Sequence, residues 1–509
     1  MKSKGIVYLV GAGPGDAGLL TLRGAELLNR ADVVVYDALV NTDLLQLAPP
    51  SAEIIYGGKR AREHPLPQSE LNELLISRAQ AGKTVVRLKG GDPYVFGRGG
   101  EEAEELADAG ILFEVVPGVS SFVAVPNYAG IPLTHRGFSS RITLITGHED
   151  PAKEESSIDW AQVAKTPGTQ VVMMGTDRIG EISRILIGHG MDSSTPAAMI
   201  RWGTTGHQQS VAGTLANLSD LATAAHIGPP TVVVIGEVVG LRSKLNWYER
   251  LPLFGRRIVV TRTRSQAGHL AARLRELGAE ILEIPTIKTQ ETSRHQDLVD
   301  ALLCLNSYDW LVFTSPNGVT NFFELFFRRF HDLRDLGGAR IAAVGPATAN
   351  ALKALHLQVD LMPDEALASK IAEEFKKFET IENLKICLLR AEAANPELPK
   401  VLEELGAIVD DIACYRTVPE TEDRGGTASK LLENGADWIT FTSGSTVEHF
   451  HARFNLPELL KKHPKIKTAT IGPETSRALK TLGLKPALEA SEHTMDGLIK
   501  ALLTHSQAS

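Results

Sequence analysis

Residues 85–102 read VVRLKGGDPYVFGRGGEE. A β-branched run ends at Leu88 and Lys89, and two glycines, a carboxylate and a proline follow at once, the composition of a loop at the C-terminal end of a strand. Ligands of open α/β sheets bind outside those ends, so this stretch predicts both an architecture and the place of a site. The chain begins the same way. GIVYLV (5–10) runs into GAGPGDAGLL (11–20), and the next strand, DVVVYD (32–37), ends on Asp37.

Glycine loop, helix, strand and an acid about twenty positions on invite comparison with a dinucleotide-binding unit, whose three glycines serve the turn, close backbone approach and helix–strand packing. Gly11 and Gly13 fit, but Asp16 stands at the third position and Pro14 stiffens the loop. A carboxylate where a pyrophosphate should rest would repel it. A nicotinamide-dependent oxidoreductase carrying a periplasmic-type binding pair is the rival reading, and it needs both that third glycine and a secretion signal.

The 509 residues exceed what one core supports and predict several domains. The apolar fraction of 43% and charged fraction of 22% are those of a water-soluble globular protein, with no bilayer-spanning run. The opening apolar stretch is broken by glycines, proline and Asp16, so it reads as a strand and not a signal, and a cytoplasmic protein is expected. A net charge of −8 argues against nucleic acid as the main partner. Cys304, Cys387 and Cys414 have no metal-ligand or disulfide spacing, so no metal is expected. Acidic runs such as EEAEELADAG (101–110) read as solvated helix faces without a function.

Strand and amphipathic helix patterns alternate from residue 1 to 245, with a division near 118; residues 246–254 read as a linker, and a new α/β segment starts at 255. Beyond it the chain repeats itself. RIVVTR, ending at Arg262, answers KICLLR, ending at Arg390; Thr314 in DWLVFTSPNGV answers Thr442 in DWITFTSGSTV; Gly345 in AAVGPATANAL answers Gly472 in ATIGPETSRAL. A collinear offset of 127–128 residues predicts a pair of similar α/β domains facing one cleft, where a ligand would bind. In each copy Thr and Ser fall at a helix N-cap, where free N–H groups and the helix dipole favour anions.

The ordered set VVRLKGGDPYVFGRGGEE, EVVPGVSSFVAVPNYAGIPLTHR (114–136), TGHED (146–150), VVMMGTDRI (171–179) and AAMIRWGTTGHQQSVAGTL (197–215) resembles the tetrapyrrole methylase family, and within it the uroporphyrinogen III C-methyltransferases. That resemblance implies two α/β subdomains with S-adenosylmethionine and substrate between them, and methyl transfer to C2 and C7 of uroporphyrinogen III, giving precorrin-2. It places the cofactor against Pro14, Gly90, Gly91, Asp92, Val95, Ser120, Ser121, Met174 and Gly203, with Asp37 as proton acceptor and Lys59 as donor. A sulfonium cation carries no phosphates, so Asp16 no longer conflicts with the loop. The substrate bears eight carboxylates, for which Arg60, Arg62, Arg98, His135 and Arg136 are candidates. A homodimer through this half is implied, and precorrin-2 would serve siroheme, cobalamin or haem d1 formation.

Residues 255–509 resemble the uroporphyrinogen III synthase family through VVTRTR, VFTSPNGV, AVGPATANAL, the stretch from Cys387 to Pro419, TFTSGSTVEHF and ATIGPETSRAL. The resemblance implies one domain built from 255–286 plus 418–509, a second from 287–417, and cyclisation of hydroxymethylbilane with inversion of ring D. Tyr415 matches the family's candidate for assisting hydroxyl departure; Arg262, Thr314, Ser315, Arg390, Thr442, Ser443 and Thr475 are binding candidates. Whether this half catalyses or only binds tetrapyrrole stays open at this level.

Overall fold

The computed structural model describes residues 5–58, 67–148, 157–261, 264–364, 368–423 and 425–507. They form two compact units, residues 1–284 with 422–509, and residues 285–421. Among the described residues no helix is long and apolar enough to cross a membrane.

The first unit holds three five-stranded sheets. In the first the order is Glu53–Tyr56, Val33–Tyr36, Thr84–Lys89, Ile6–Gly11, Leu112–Val116, all parallel. These strands are valine-rich because both faces are covered, one packing on Leu27, Leu28 and Leu45, the other on Leu71, Leu75 and Leu106. Parallel strands bring their C-terminal loops to one edge, so residues 11–16, 37–41 and 90–98 meet there. The second sheet is mixed, in the order Ile142–Thr146, Thr169–Met173, Thr231–Ile235, Pro196–Arg201, Gln209–Thr214. The third is parallel, in the order Glu280–Glu283, Arg257–Val260, Trp438–Phe441, Lys467–Thr470, Leu488–Glu489.

The second unit carries the fourth sheet: Ile287–Glu291, Ile408–Pro419, Lys385–Ala391, Trp310–Phe313, Arg340–Ala343. Only its first pair is antiparallel. The aromatic helix Pro316–Arg329 buries Phe322, Phe323 and Phe326 against this sheet, as its 3.6-residue period requires.

Residues 246–254, read as a linker, are packed instead. Tyr248 and Leu253 are buried, the Trp247 and Tyr248 rings lie 5.0 and 4.8 Å from that of Tyr128, and the Trp247 indole donates to the Asn127 carbonyl. Glu249 fastens the segment, accepting from Arg242, Ser210, Gln208 and Asn246. Aromatic residues without a clean period marked a strap here, because the partners of its rings, Asn127 and Tyr128, lie about 120 residues away.

Candidate active site

The loops after Ile6–Gly11 and Thr84–Lys89 touch backbone to backbone. Gly13 and Gly91 exchange hydrogen bonds of 3.2 and 2.7 Å, and a Cβ on Gly118 would stand 2.2 Å from the Gly91 carbonyl oxygen. Three chain segments therefore cross where Gly11 and Gly118 leave no room for a side chain and Gly13 and Gly91 take φ of +77° and +69°, which accounts for these glycines without a phosphate. Asp92 staples the crossing, accepting from the N–H groups of Tyr94 at 2.8 Å and Gly118 at 3.0 Å.

Beside this crossing opens a cavity of about 1000 Å³. Pro14, Gly90, Gly91 and Val95 line it from the first subdomain, Ser120, Ser121, Met174 and Gly203 from the second, and Asp37 and Arg98 also reach it. Met174, half-exposed, lines the cavity with its backbone in the left-handed region at φ of +54°. Gly203 is packed so tightly on Val125 that a Cβ would come within 2.4 Å.

Among the described residues, three of the positions predicted for this half are absent from the cavity lining. Asp92 spends its carboxylate on the loop, and His135 and Arg136 sit in an exposed turn closed by His135 and Ser139. Arg98 lines the cavity, with its fork directed at Glu101. Lys59, Arg60, Arg62 and Arg262 lie outside the described residues.

The cluster behind Asp37 was missed from sequence. Arg87 and Lys89, two apart on one strand, are buried and both reach Oε1 of Glu102, at 3.2 and 2.8 Å. Glu102 belongs to the acidic run read as a solvated face, and that reading is corrected here: helix Gly99–Asp108 buries Gly99, Glu102, Ala103 and Leu106 on one stripe. Cations alternating in a buried central strand were the available signal, since buried charges require partners. Burial pushes the Lys89 ammonium down, and Arg87 beside it adds to the effect. Arg87 Nη2 also lies 3.7 Å from Asp37 Oδ2. Arg87, Lys89 and Arg98 are thus each committed to a carboxylate near the glycine loops, where Asp16, Asp37, Met174 and backbone groups also line the cavity, a setting that suits a cationic adenosyl ligand better than a pyrophosphate.

Asp16 joins the two subdomains. Its N–H donates to Thr204 Oγ1 at 3.0 Å, and its carboxylate caps Ala17–Leu19 and accepts from Tyr128.

In the 285–421 unit, Ser315 caps helix Pro316–Arg329 and its Oγ lies 3.0 Å from the Tyr415 hydroxyl, with Thr314 beside it. Burial raises the Tyr415 pKa. Arg390 is corrected from ligand to structural pair: it is buried, and its fork is taken by both oxygens of Asp411 and the Asn395 carbonyl. In the first unit Ser443 caps helix Gly444–Phe454 in a capping box with Thr446, and Thr442 precedes it half-buried. Thr475 is buried in the first turn of Pro473–Thr481, on the face turned to the core, where it presents nothing to a ligand.

Residues 6–219 match the tetrapyrrole (corrin/porphyrin) methylases, and residues 268–500 match uroporphyrinogen-III synthase HemD. The porphyrin biosynthesis protein HemD of Ruminiclostridium josui is 39% identical over 98% of both chains. The uroporphyrinogen-III C-methyltransferase of Bacillus subtilis (strain 168) is 41% identical over 72% of this chain and 74% of that one. An S-adenosyl-L-methionine-dependent uroporphyrinogen III methyltransferase of Methanosarcina barkeri is 52% identical over 47% of this chain and 94% of its own. With the glycine crossing, the cavity and the twin capped helices, these likenesses establish that the chain belongs to the family of porphyrin-biosynthesis proteins in which a tetrapyrrole methylase is fused to a uroporphyrinogen-III synthase.

Proposed function

We propose that the chain cyclises hydroxymethylbilane to uroporphyrinogen III through residues 255–509 and methylates that product at C2 and C7 through residues 1–245, giving precorrin-2. The cavity beside the Gly13–Gly91 crossing, with Asp37 in its wall, carries this reading. S-Adenosylmethionine would be held by Pro14, Gly90, Gly91, Val95, Ser120, Ser121, Met174 and Gly203; when bound it supplies an electrophilic methyl group. The chain's contribution is alignment of the pyrrole carbon with that methyl, which can remove a large part of the barrier. Asp37 accepts the proton released from the pyrrole carbon. Arg87, at 3.7 Å from the Asp37 carboxylate, faces it from behind while drawing its own compensation from Glu102.

In the synthase half, Tyr415 is poised to donate a proton to the departing hydroxyl, oriented by Ser315. The N-caps at Ser315 and Ser443 supply N–H groups for carboxylates of the bilane. Assembly as a homodimer through the methylase half, and use of precorrin-2 for siroheme or cobalamin, complete the reading.

The test is to supply hydroxymethylbilane with and without S-adenosylmethionine and to identify products by mass and isomer. Type III uroporphyrinogen without the cofactor, and a dimethylated product with it, support both activities. Type I alone, with supplied uroporphyrinogen III still methylated, would reduce the second half to a binding module.

A further inference from the structure

The methylase cavity is not walled by the methylase alone. Arg257, Arg275, Glu280, Thr427 and Lys430, all from the synthase half, also line it. Two ion-pair groups fasten this third wall. His207 of the methylase lies 3.3 Å from Glu280, which also pairs with Arg257 at 2.8 Å. Arg275 Nη2 stands 2.7 Å from Asp43 of the methylase and 2.6 Å from Glu283 of its own half. The Methanosarcina barkeri relative, aligned over 94% of its own length, matches only 47% of this chain, so the added wall belongs to the fusion.

The Asp43 contact reaches the reacting groups through a short covalent and hydrogen-bonded path. The Asp43 N–H donates to Asn41 Oδ1 at 3.0 Å, and Asn41 Nδ2 donates to the Gly15 carbonyl at 2.8 Å, fixing the glycine loop. Four residues before Asn41 stands Asp37, whose carboxylate accepts from the Leu39 N–H at 3.2 Å and turns the same segment into the cavity. On the far side Lys430 Nζ lies 3.4 Å from Thr42 Oγ1, and a Cβ on Gly425 would meet Thr42 at 3.1 Å. The 37–43 segment is thus held between the glycine loop and the synthase half.

Resting on the methyltransferase reading above, we propose that Arg275 is a positioning residue for methyl transfer: by clamping Asp43 it fixes the segment that carries Asp37 into the cavity. The synthase half then contributes to the methylation step itself, besides supplying its substrate. Asp43 is part-buried, and burial raises its pKa while Arg275 works against that rise, so loss of the guanidinium leaves the carboxylate poorly compensated.

The experiment uses the full chain as unmodified protein, Arg275→Ala and Arg275→Lys. Methyl transfer from S-adenosylmethionine to supplied uroporphyrinogen III is compared with cyclisation of hydroxymethylbilane in the same preparations, which reports whether the synthase half is folded. The expected result for Arg275→Ala is a loss of about tenfold in methyl-transfer kcat, with KM for the cofactor within twofold of the unmodified chain and cyclisation unchanged; Arg275→Lys recovers most of the loss. An unchanged kcat overturns the inference, and so does a parallel fall of both activities, which would make Arg275 mere structural glue. If the unmodified chain methylates nothing, the methyltransferase reading fails first and takes this one with it, a result distinct from a methylating chain indifferent to Arg275.

Discussion

The phenol of Tyr128 donates to the Asp16 carboxylate at 2.7 Å, from a helix 112 residues further along the chain. Asp16 therefore stands where a third glycine would in a dinucleotide loop because it ties the first subdomain to the second. Tyr128→Phe removes one part-buried, charge-assisted bond and is expected to lower stability by about 1.5–3 kcal/mol, measured by chemical denaturation. Asp16→Ala should cost at least as much, since it also removes the cap on Gly18.

Asp37→Asn keeps a side-chain oxygen able to accept from the Leu39 N–H while removing the base. Methyl transfer should fall by about 10²-fold or more with cyclisation unaffected, assayed on supplied uroporphyrinogen III. Retention of full kcat would leave Asp37 as a loop residue only.

Gly118→Ala places a methyl 2.2 Å from the Gly91 carbonyl and 2.7 Å from Gly11 Cα. Neither backbone can yield cheaply, so the glycine crossing must open. Calorimetric titration with S-adenosylmethionine should show binding lost or weakened by more than tenfold.

Tyr415→Phe removes the hydroxyl that meets Ser315 and leaves the ring buried. Cyclisation to type III should slow by about tenfold, with methylation of supplied uroporphyrinogen III unchanged. Equal cyclisation rates would assign the reaction to chain folding in the synthase half alone.

Burial works against the charge of Glu280, yet His207 and Arg257 pull its carboxyl from near 4.5 down to about 2. A folded-state value below the ordinary one means the stabilisation is fully present above about pH 4.5 and disappears as pH falls through about 2. Glu280→Gln should therefore destabilise the chain by on the order of 2–3 kcal/mol at pH 7, a gap that closes on acidification. A gap independent of pH would point to lost packing.

The amino-acid sequence by itself determined the α/β class, the glycine loops, the Asp37 strand end and the twofold repetition after residue 255, because each is written in neighbouring residues: strand runs, turn residues and N-caps. It also carried the motifs through which both family resemblances were read. Only the tertiary structure decided what those pieces join. Arg257–Val260 pairs with Trp438–Phe441, and Lys385–Ala391 pairs with Trp310–Phe313, so each sheet unites the first strand of one repeat with later strands of the other. Equivalent strands have interchangeable local patterns, and the choice between them rests on burial over more than a hundred residues. Glu102 looked solvated until Arg87 and Lys89 faced it, Arg390 looked free until Asp411 did, and Asp43 drew no notice until Arg275 reached it. A charged side chain's role is set by the charge it meets in a low-dielectric interior, and that partner is chosen by the fold.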